Sequence, residues 1–209
     1  DVDDDVAIGH VDDWEWRGPS KELAAIAKRT NPQTSEILGK IAQNGYCIAV
    51  AGTHGKTTTS TLVAHLLHSC NVNFTAFLGG ISSNFGTNYI RKTDGINLPG
   101  KGEIIVLEAD EFDRSFHRLN PDLAIITAID PDHLDIYGTA EAFTQAFVDF
   151  THLISTGLLI HESLNIPTPA NIQVVQYGKA SASGVHANNI HINQGVVNIP
   201  IIVEAIIQK

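Results

Sequence analysis

One stretch of the sequence decides the fold: AGTHGKTTT, at residues 51–59. The residues before it, Tyr46–Val50, form a short apolar run that is typical of a buried parallel strand. The residues after it, Thr59–Ser69, carry leucine and valine at helical spacing, which predicts an amphipathic helix. A strand, a glycine-rich turn and a helix in this order are the context of a phosphate-binding loop.

The chemistry of this stretch suits a nucleotide. Glycines let the backbone turn tightly and direct amide N–H groups at phosphate oxygens, and the start of the helix adds a positive dipole end. Lys56 would reach the β- and γ-phosphates of ATP, and the Thr57 hydroxyl would bind Mg²⁺. The standard pattern has glycine at the position of Val50, so the loop is a variant, and a plain strand–helix turn with a surface lysine is the alternative. We expect nucleotide contacts from Gly52, Thr53, His54, Gly55, Lys56, Thr57 and Thr58.

Apolar runs and helical patterns alternate outward from this loop. Further strands are predicted at residues 74–78, 103–107, 123–127, 158–160, 174–177 and 190–192, and the segment 79–102 is predicted to be mostly loop. Helices are predicted from Thr34 or Ser35 to Gly45, over 59–69 with Leu62, Val63, Leu66 and Leu67 inward, and over 140–154 with Phe143, Phe147 and Phe150 on one face. The alternation predicts an α/β fold with a mostly parallel sheet flanked by helices, and a few extra short strands near the C-terminus.

Two polar clusters follow predicted strands. Glu108 opens the run EADEFD at residues 108–113, and His133 lies in DPDHLD at residues 130–135. Because ligands of open α/β sheets bind at the carboxyl ends of the strands, both clusters are expected on the same edge as the phosphate loop. Glu108 is therefore a candidate Mg²⁺ ligand, with a solvated acidic turn as the alternative. His133 is a candidate for a second metal, although a lone histidine is more often structural.

Composition narrows the class of partner. The net charge is −10, which argues against binding to nucleic acid or to an anionic membrane surface. No apolar run approaches the ~18 residues of a membrane span. The chain has only two cysteines, which fits a reducing, cytoplasmic compartment. It begins at Asp1 and contains no methionine, so we expect it to be part of a longer protein.

Four stretches together resemble the Mur ligases of bacterial cell-wall precursor synthesis. They are AGTHGKTTT at 51–59, FLGGISSNFGTNY at 77–89, LEADEFDRSF at 107–116 and TAIDPDHLDIY at 127–137. The resemblance covers roughly residues 35–177, and the motifs are specific in combination. It implies that residues 35–209 form the central ATP-binding domain of such a ligase. Residues 1–34 stay unassigned, with a remnant of the N-terminal UDP-sugar-binding domain as the candidate, and the C-terminal amino-acid-binding domain is expected to be absent.

The resemblance also implies roles and substrates. Lys56 corresponds to the phosphate-loop lysine, Thr57 and Glu108 to ligands of a first Mg²⁺, and His133 to the histidine near a second Mg²⁺. The three residues Lys56, Glu108 and His133 are the expected catalytic group. The implied reaction uses ATP to join L-alanine to the carboxylate of UDP-N-acetylmuramate through an acyl phosphate.

The sequence indicates the type of Mur ligase less narrowly than it indicates the family. Several related ligases carry a lysine about fifteen residues after the histidine, whereas no lysine occurs here between His133 and Val175. This favours the alanine-adding type or the type that attaches a recycled murein tripeptide to the same sugar nucleotide. A non-catalytic nucleotide-binding module and a purely structural α/β domain are the alternatives outside the ligases. The sequence does not determine the oligomeric state.

Overall fold

A computed structural model describes most of the chain. The described residues are 32–112, 114–131, 134–179, 184–187, 191–193, 196–198 and 201–203. The predicted site residue His133 lies outside them, as do residues 1–31 of the unassigned segment 1–34.

The described elements alternate between strands and helices, as predicted. The helices are α1 (Pro32–Ala42), α2 (Lys56–Ser69), α3 (Leu134–Tyr137) and α4 (Ala140–Thr151), with a 3₁₀ turn at Ser115–Arg118. The strands are β1 (Tyr46–Ala51), β2 (Phe74–Phe77), β3 (Tyr89–Lys92), β4 (Ile104–Glu108), β5 (Leu123–Ile126), β6 (Gly157–His161), β7 (Gln173–Gly178), β8 (Val185–Ala187), β9 (His191–Asn193), β10 (Val196–Asn198) and β11 (Ile201–Val203).

Nine of these strands form one sheet in the order β11-β8-β7-β6-β5-β1-β4-β2-β3. All neighbours from β8 to β2 are parallel, whereas the edge strands β11 and β3 are antiparallel to their partners. Strands β9 and β10 pair separately as a short antiparallel ladder. The predicted fold class, a mostly parallel sheet flanked by helices with extra short strands near the C-terminus, is confirmed. Strands β1 and β4 lie next to each other within the sheet, so the segments that follow them emerge side by side.

Apolar side chains cover both faces of the sheet. On one face, Phe143, Phe147 and Phe150 of α4 are fully buried with residues of α1, β1 and β4, as the helical spacing predicts. On the other face, a smaller cluster joins Ala64 of α2 to β2 and β4. Burial of a Phe side chain contributes about 1.5–3 kcal/mol, so α4 supplies a large share of the first core. No helix in the described part of the chain is long and apolar enough to cross a membrane.

Two sequence predictions are wrong in detail. The helix after the phosphate loop begins at Lys56 rather than Thr59. Of the four apolar residues predicted to face inward, Val63 and Leu67 pack against the core on the same side as Ala64, whereas Leu62 and Leu66 are exposed. The segment predicted as loop also contains β3, which pairs with β2 at the edge of the sheet and buries Ile90 in the second cluster.

Candidate functional site

The phosphate loop has the backbone that its sequence predicts. Gly52 and Gly55 have φ values of 128° and 82°, a region that side-chain-bearing residues rarely adopt. A Cβ on Gly52 would also lie 2.2 Å from the Thr127 hydroxyl oxygen. Gly55 is the residue that precedes α2, and its carbonyl accepts the Thr59 N–H at 2.9 Å. The loop thus brings the start of α2 to the carboxyl edge of the sheet, and the first amide groups of a helix have no partner within the helix.

A cavity of about 370 Å³ opens at this helix start. It is lined by Thr53, Gly55, Lys56, Thr57, Thr58 and Glu108. Five of the seven residues predicted to contact nucleotide therefore share one cavity with Glu108, a predicted metal ligand. The other two support the loop: Gly52 makes its close turn against Thr127, and the His54 carbonyl accepts the Thr127 hydroxyl.

Thr57 and Glu108 meet as predicted. The Thr57 hydroxyl donates to Glu108 Oε1 at 3.0 Å, and the Gly79 N–H donates to Oε2 of the same carboxylate at 2.8 Å. A Cβ on Gly79 would lie 2.5 Å from Glu108 Oε1, so only glycine fits here without displacing the carboxylate. A hydroxyl and a carboxylate are hard oxygen ligands of the kind Mg²⁺ prefers when it also binds substrate phosphates. The residues present therefore fit Mg²⁺.

The ammonium group of Lys56 is held by a residue that sequence reasoning missed. Lys56 Nζ donates to Glu111 Oε1 at 2.9 Å and to Oε2 at 2.7 Å. The exposed fractions of the two side chains are 15% for Lys56 and 3% for Glu111. Burial raises the pKa of the Glu111 carboxyl above its usual value, against the opposing effect of the Lys56 charge. The available signal was the acidic run itself, because buried carboxylates are costly unless they meet cations.

The main chain of Glu111 is fixed from two sides. Its carbonyl accepts the Tyr137 hydroxyl of α3 and the Arg114 N–H at 3.1 Å. Arg114 has a φ of 59°, unusual for a residue with a side chain, and its guanidinium lies 4.8 Å from the centre of the Tyr137 ring. The turn after β4 is thereby tied to the segment after β5.

Residues flanking the undescribed His133 contact the same site. On one side, the Asp130 N–H donates to the Thr53 hydroxyl of the phosphate loop at 3.2 Å. On the other side, Tyr137 donates to the Glu111 carbonyl. The role of His133 at a second metal remains a prediction. In the described part of the chain, no group of three or more His, Cys, Asp or Glu side chains forms a metal cage.

Comparison with protein families finds one match over most of the chain. The family described as Mur ligase middle domain matches residues 50–207. Among curated relatives, the UDP-N-acetylmuramate–L-alanine ligase of Phocaeicola vulgatus is 47% identical over 166 residues, which is 78% of this chain and 35% of the relative. The enzyme of the same name from Porphyromonas gingivalis is 55% identical over 123 residues, covering 59% of this chain and 25% of the relative. The chain thus spans about a third or less of these two relatives.

Solved structures share the fold. A UDP-N-acetylmuramate:L-alanyl-γ-D-glutamyl-meso-diaminopimelate ligase from Neisseria meningitides has a TM-score of 0.70 at 19% identity, covering 82% of this chain and 56% of that chain. The UDP-N-acetylmuramate–alanine ligase of Thermotoga maritima has a TM-score of 0.61 at 24% identity, covering 79% and 36%. A MurF ligase of the same organism, solved in complex with ADP, has a TM-score of 0.57 at 20% identity, covering 82% and 42%. Since the family match extends over residues 50–207, the chain belongs to the Mur ligase family.

Proposed function

We propose that residues 35–209 form the ATP-binding domain of a cytoplasmic ligase that joins L-alanine to the carboxylate of UDP-N-acetylmuramate. One observation carries the proposal: Lys56, Thr57 and Glu108 line a single cavity at the N-terminus of α2. The two curated relatives that are 47% and 55% identical are UDP-N-acetylmuramate–L-alanine ligases, which supports the choice of substrates. The N-terminal sugar-nucleotide domain and the C-terminal amino-acid domain would be contributed by other segments of a longer protein, with residues 1–34 belonging to the former.

The proposed reaction has two steps. The carboxylate oxygen of the sugar nucleotide attacks the γ-phosphorus of ATP, the bond to the β-γ bridging oxygen breaks, and ADP leaves. The amine of L-alanine then attacks the carbonyl carbon of the acyl phosphate, loses a proton, and expels inorganic phosphate to leave an amide. Activation is needed because a carboxylate is a poor electrophile.

The first step brings two anions together, and this chain supplies the charge that offsets their repulsion. Lys56 and the first residues of α2 line the cavity where the phosphates would lie, so the ammonium and the N-terminal amides of the helix would meet them there. Such preorganised donors are effective because they do not have to reorganise during the reaction. Thr57 and Glu108 would hold Mg²⁺, which supplies further positive charge to the phosphate oxygens when bound. His133 is proposed as a residue at a second Mg²⁺ site.

An assay of the full-length protein tests this function. We expect phosphate release from ATP only when UDP-N-acetylmuramate and L-alanine are both present. The tripeptide L-alanyl-γ-D-glutamyl-meso-diaminopimelate should replace L-alanine poorly. Faster turnover with the tripeptide would instead support the recycling ligase. Mg-ATP binding without any amide product from either acceptor would indicate a non-catalytic nucleotide-binding module.

A further inference from the structure

The phosphate-loop lysine has a dedicated partner on its protein side. A lysine ammonium has three N–H donors, and Lys56 gives two of them to the two carboxylate oxygens of Glu111, at 2.9 Å and 2.7 Å. Both contacts are short and charge-assisted, the stronger class of hydrogen bond. Among the described residues, Glu111 is the one partner of the ammonium, so its third N–H donor is left for another group.

The location of Glu111 shows which side of the ammonium it occupies. Lys56 lines the 370 Å³ cavity together with Thr57 and Glu108. Glu111 is 2% exposed, and the residues that line the cavity do not include it. The ammonium of a cavity-lining lysine is therefore contacted by a buried carboxylate, which leaves its third N–H donor available to a group in the cavity.

Glu111 is itself held in place. Its carbonyl accepts the Tyr137 hydroxyl and the Arg114 N–H, which connects its backbone to α3 and to the turn before the 3₁₀ helix. Its carboxylate is nearly inaccessible to water, so placing it there is costly unless its pairing with Lys56 is maintained. A fixed backbone and a bidentate contact together restrict the position of Lys56 Nζ more than a flexible surface pair would.

We propose that Glu111 is a positioning residue for Lys56, holding the ammonium from the interior so that its third N–H donor stands at the phosphate cavity. This inference rests on the proposed function, because it concerns the lysine that would contact the transferred phosphoryl group. It also has an electrostatic consequence. The negative charge of Glu111 offsets part of the attraction between Lys56 and ATP, so the pair favours accurate placement at the expense of nucleotide affinity.

The substitution Glu111→Gln in the full-length protein separates the positioning of Lys56 from its electrostatic attraction to ATP. Glutamine keeps the size of the side chain and one acceptor oxygen, but loses the charge and the second acceptor. We expect kcat to fall about 10–100-fold, since small misplacements of a catalytic group have effects of this size. The Kd for Mg-ATP, measured by calorimetry, should stay the same or decrease.

Glu103→Gln is the matched control. Glu103 also contacts a cation, since its Oε1 accepts from Arg91 Nε at 3.3 Å, but it precedes β4 at the opposite edge of the sheet. The control should lower the melting temperature without changing kcat or the Kd for Mg-ATP. The inference would be overturned by a Glu111→Gln protein with wild-type kcat. It would also be overturned by one that loses kcat, ATP binding and thermal stability together, because that result indicates a structural ion pair.

Glu111→Asp keeps the inference testable should the glutamine variant fail to fold. Aspartate retains the charge but withdraws it by one methylene, so kcat should again fall while Mg-ATP still binds. Wild-type kcat in a folded Glu111→Asp protein would contradict positioning. The wild-type assay separates the two proposals: no amide product from wild-type protein defeats the proposed function, whereas normal catalysis by the Glu111 variants defeats only this inference.

Discussion

The two ends of strand β4 carry similar residues and use them differently. Glu103 precedes the strand and Glu108 is its last residue, with four buried apolar residues between them. At the first end, the Glu103 carboxylate accepts from the Thr75 hydroxyl on β2 and from Arg91 on β3. At the second end, Glu108 accepts from Thr57 and Gly79 and lines a cavity.

The difference shows that position in the sheet, rather than residue type, sets the role of a carboxylate. Side chains at the amino end of β4 meet other strands, so polar groups there satisfy one another. At the carboxyl end, the chain leaves the sheet beside the start of α2, where amide groups and Lys56 supply positive charge. The contacts of Glu103 stabilise the amino end of β4. The surroundings of Glu108 are suited to a ligand that carries negative charge and a metal.

The largest effect is expected from removing the charge of Lys56. Lys56→Ala in the full-length protein should lower kcat about 10²–10³-fold, equivalent to about 3–4 kcal/mol of transition-state stabilisation. Lys92→Ala is the control, because Lys92 is also largely covered and pairs with an acid, Asp94, but lies on β3. Steady-state phosphate release measures the kcat of both variants. A Lys56→Ala enzyme with near-normal kcat would refute the role of this lysine.

The next effect concerns the metal. Glu108→Gln removes the one carboxylate that contacts the Thr57 hydroxyl among the described residues. We expect the Mg²⁺ concentration for half-maximal activity to rise about 10–100-fold, since losses of this order follow when metal-site groups are altered. The measurement is a Mg²⁺ titration of activity at saturating ATP. An unchanged titration curve would mean that Glu108 does not bind the metal.

A smaller effect should follow from crowding the same carboxylate. Gly79→Ala would place a Cβ 2.5 Å from Glu108 Oε1 and displace it, whereas a Cβ on the adjacent Gly80 would lie 3.4 Å from Thr57 Cγ2. Overpacking costs about 1–3 kcal/mol, so roughly a tenfold rise in the Mg²⁺ requirement is expected for Gly79→Ala. Gly80→Ala should titrate close to wild type. Equal behaviour of the two variants would show that the Glu108 position does not matter.

The smallest effect on activity is expected at the other end of β4. Glu103→Gln should lower the free energy of unfolding by about 1 kcal/mol, because it weakens a partly exposed ion pair. The kcat should not change. Chemical denaturation and the phosphate-release assay measure the two quantities. A loss of activity without a loss of stability would remove the distinction between the two ends of the strand.

The sequence predicted the site where its chemistry is restrictive. Gly55-Lys56-Thr57 between an apolar strand and a helix has few alternative explanations, and Glu108 followed from the edge at which parallel strands end. Glu111 was missed because the carboxylates of an acidic run look alike. Which of them becomes buried depends on the positive φ of Arg114 and on Tyr137, which comes from a distant segment.

The fold class was predictable from the sequence, but the residues of α2 that face the core and the presence of strand β3 were not fully predictable. The apolar pattern of α2 correctly placed Val63 and Leu67 against the core beside Ala64, but it also placed Leu62 and Leu66 there, and both are exposed. Strand β3 is only four residues long and two of them are charged, so its sequence is a weak strand signal, and it pairs with the edge position that β2 offers. Such outcomes depend on neighbours that a local pattern does not contain.

The most direct test of the proposed site is a crystal structure of the full-length protein with Mg²⁺ and a non-hydrolysable ATP analogue. We expect the β- and γ-phosphate oxygens to accept hydrogen bonds from Lys56 Nζ and from the amides at the start of α2. We expect Mg²⁺ to be held by the Thr57 hydroxyl and the Glu108 carboxylate together with those oxygens. Phosphates bound away from the Gly55-Lys56-Thr57 helix start, or a metal that contacts neither Thr57 nor Glu108, would contradict the proposed site.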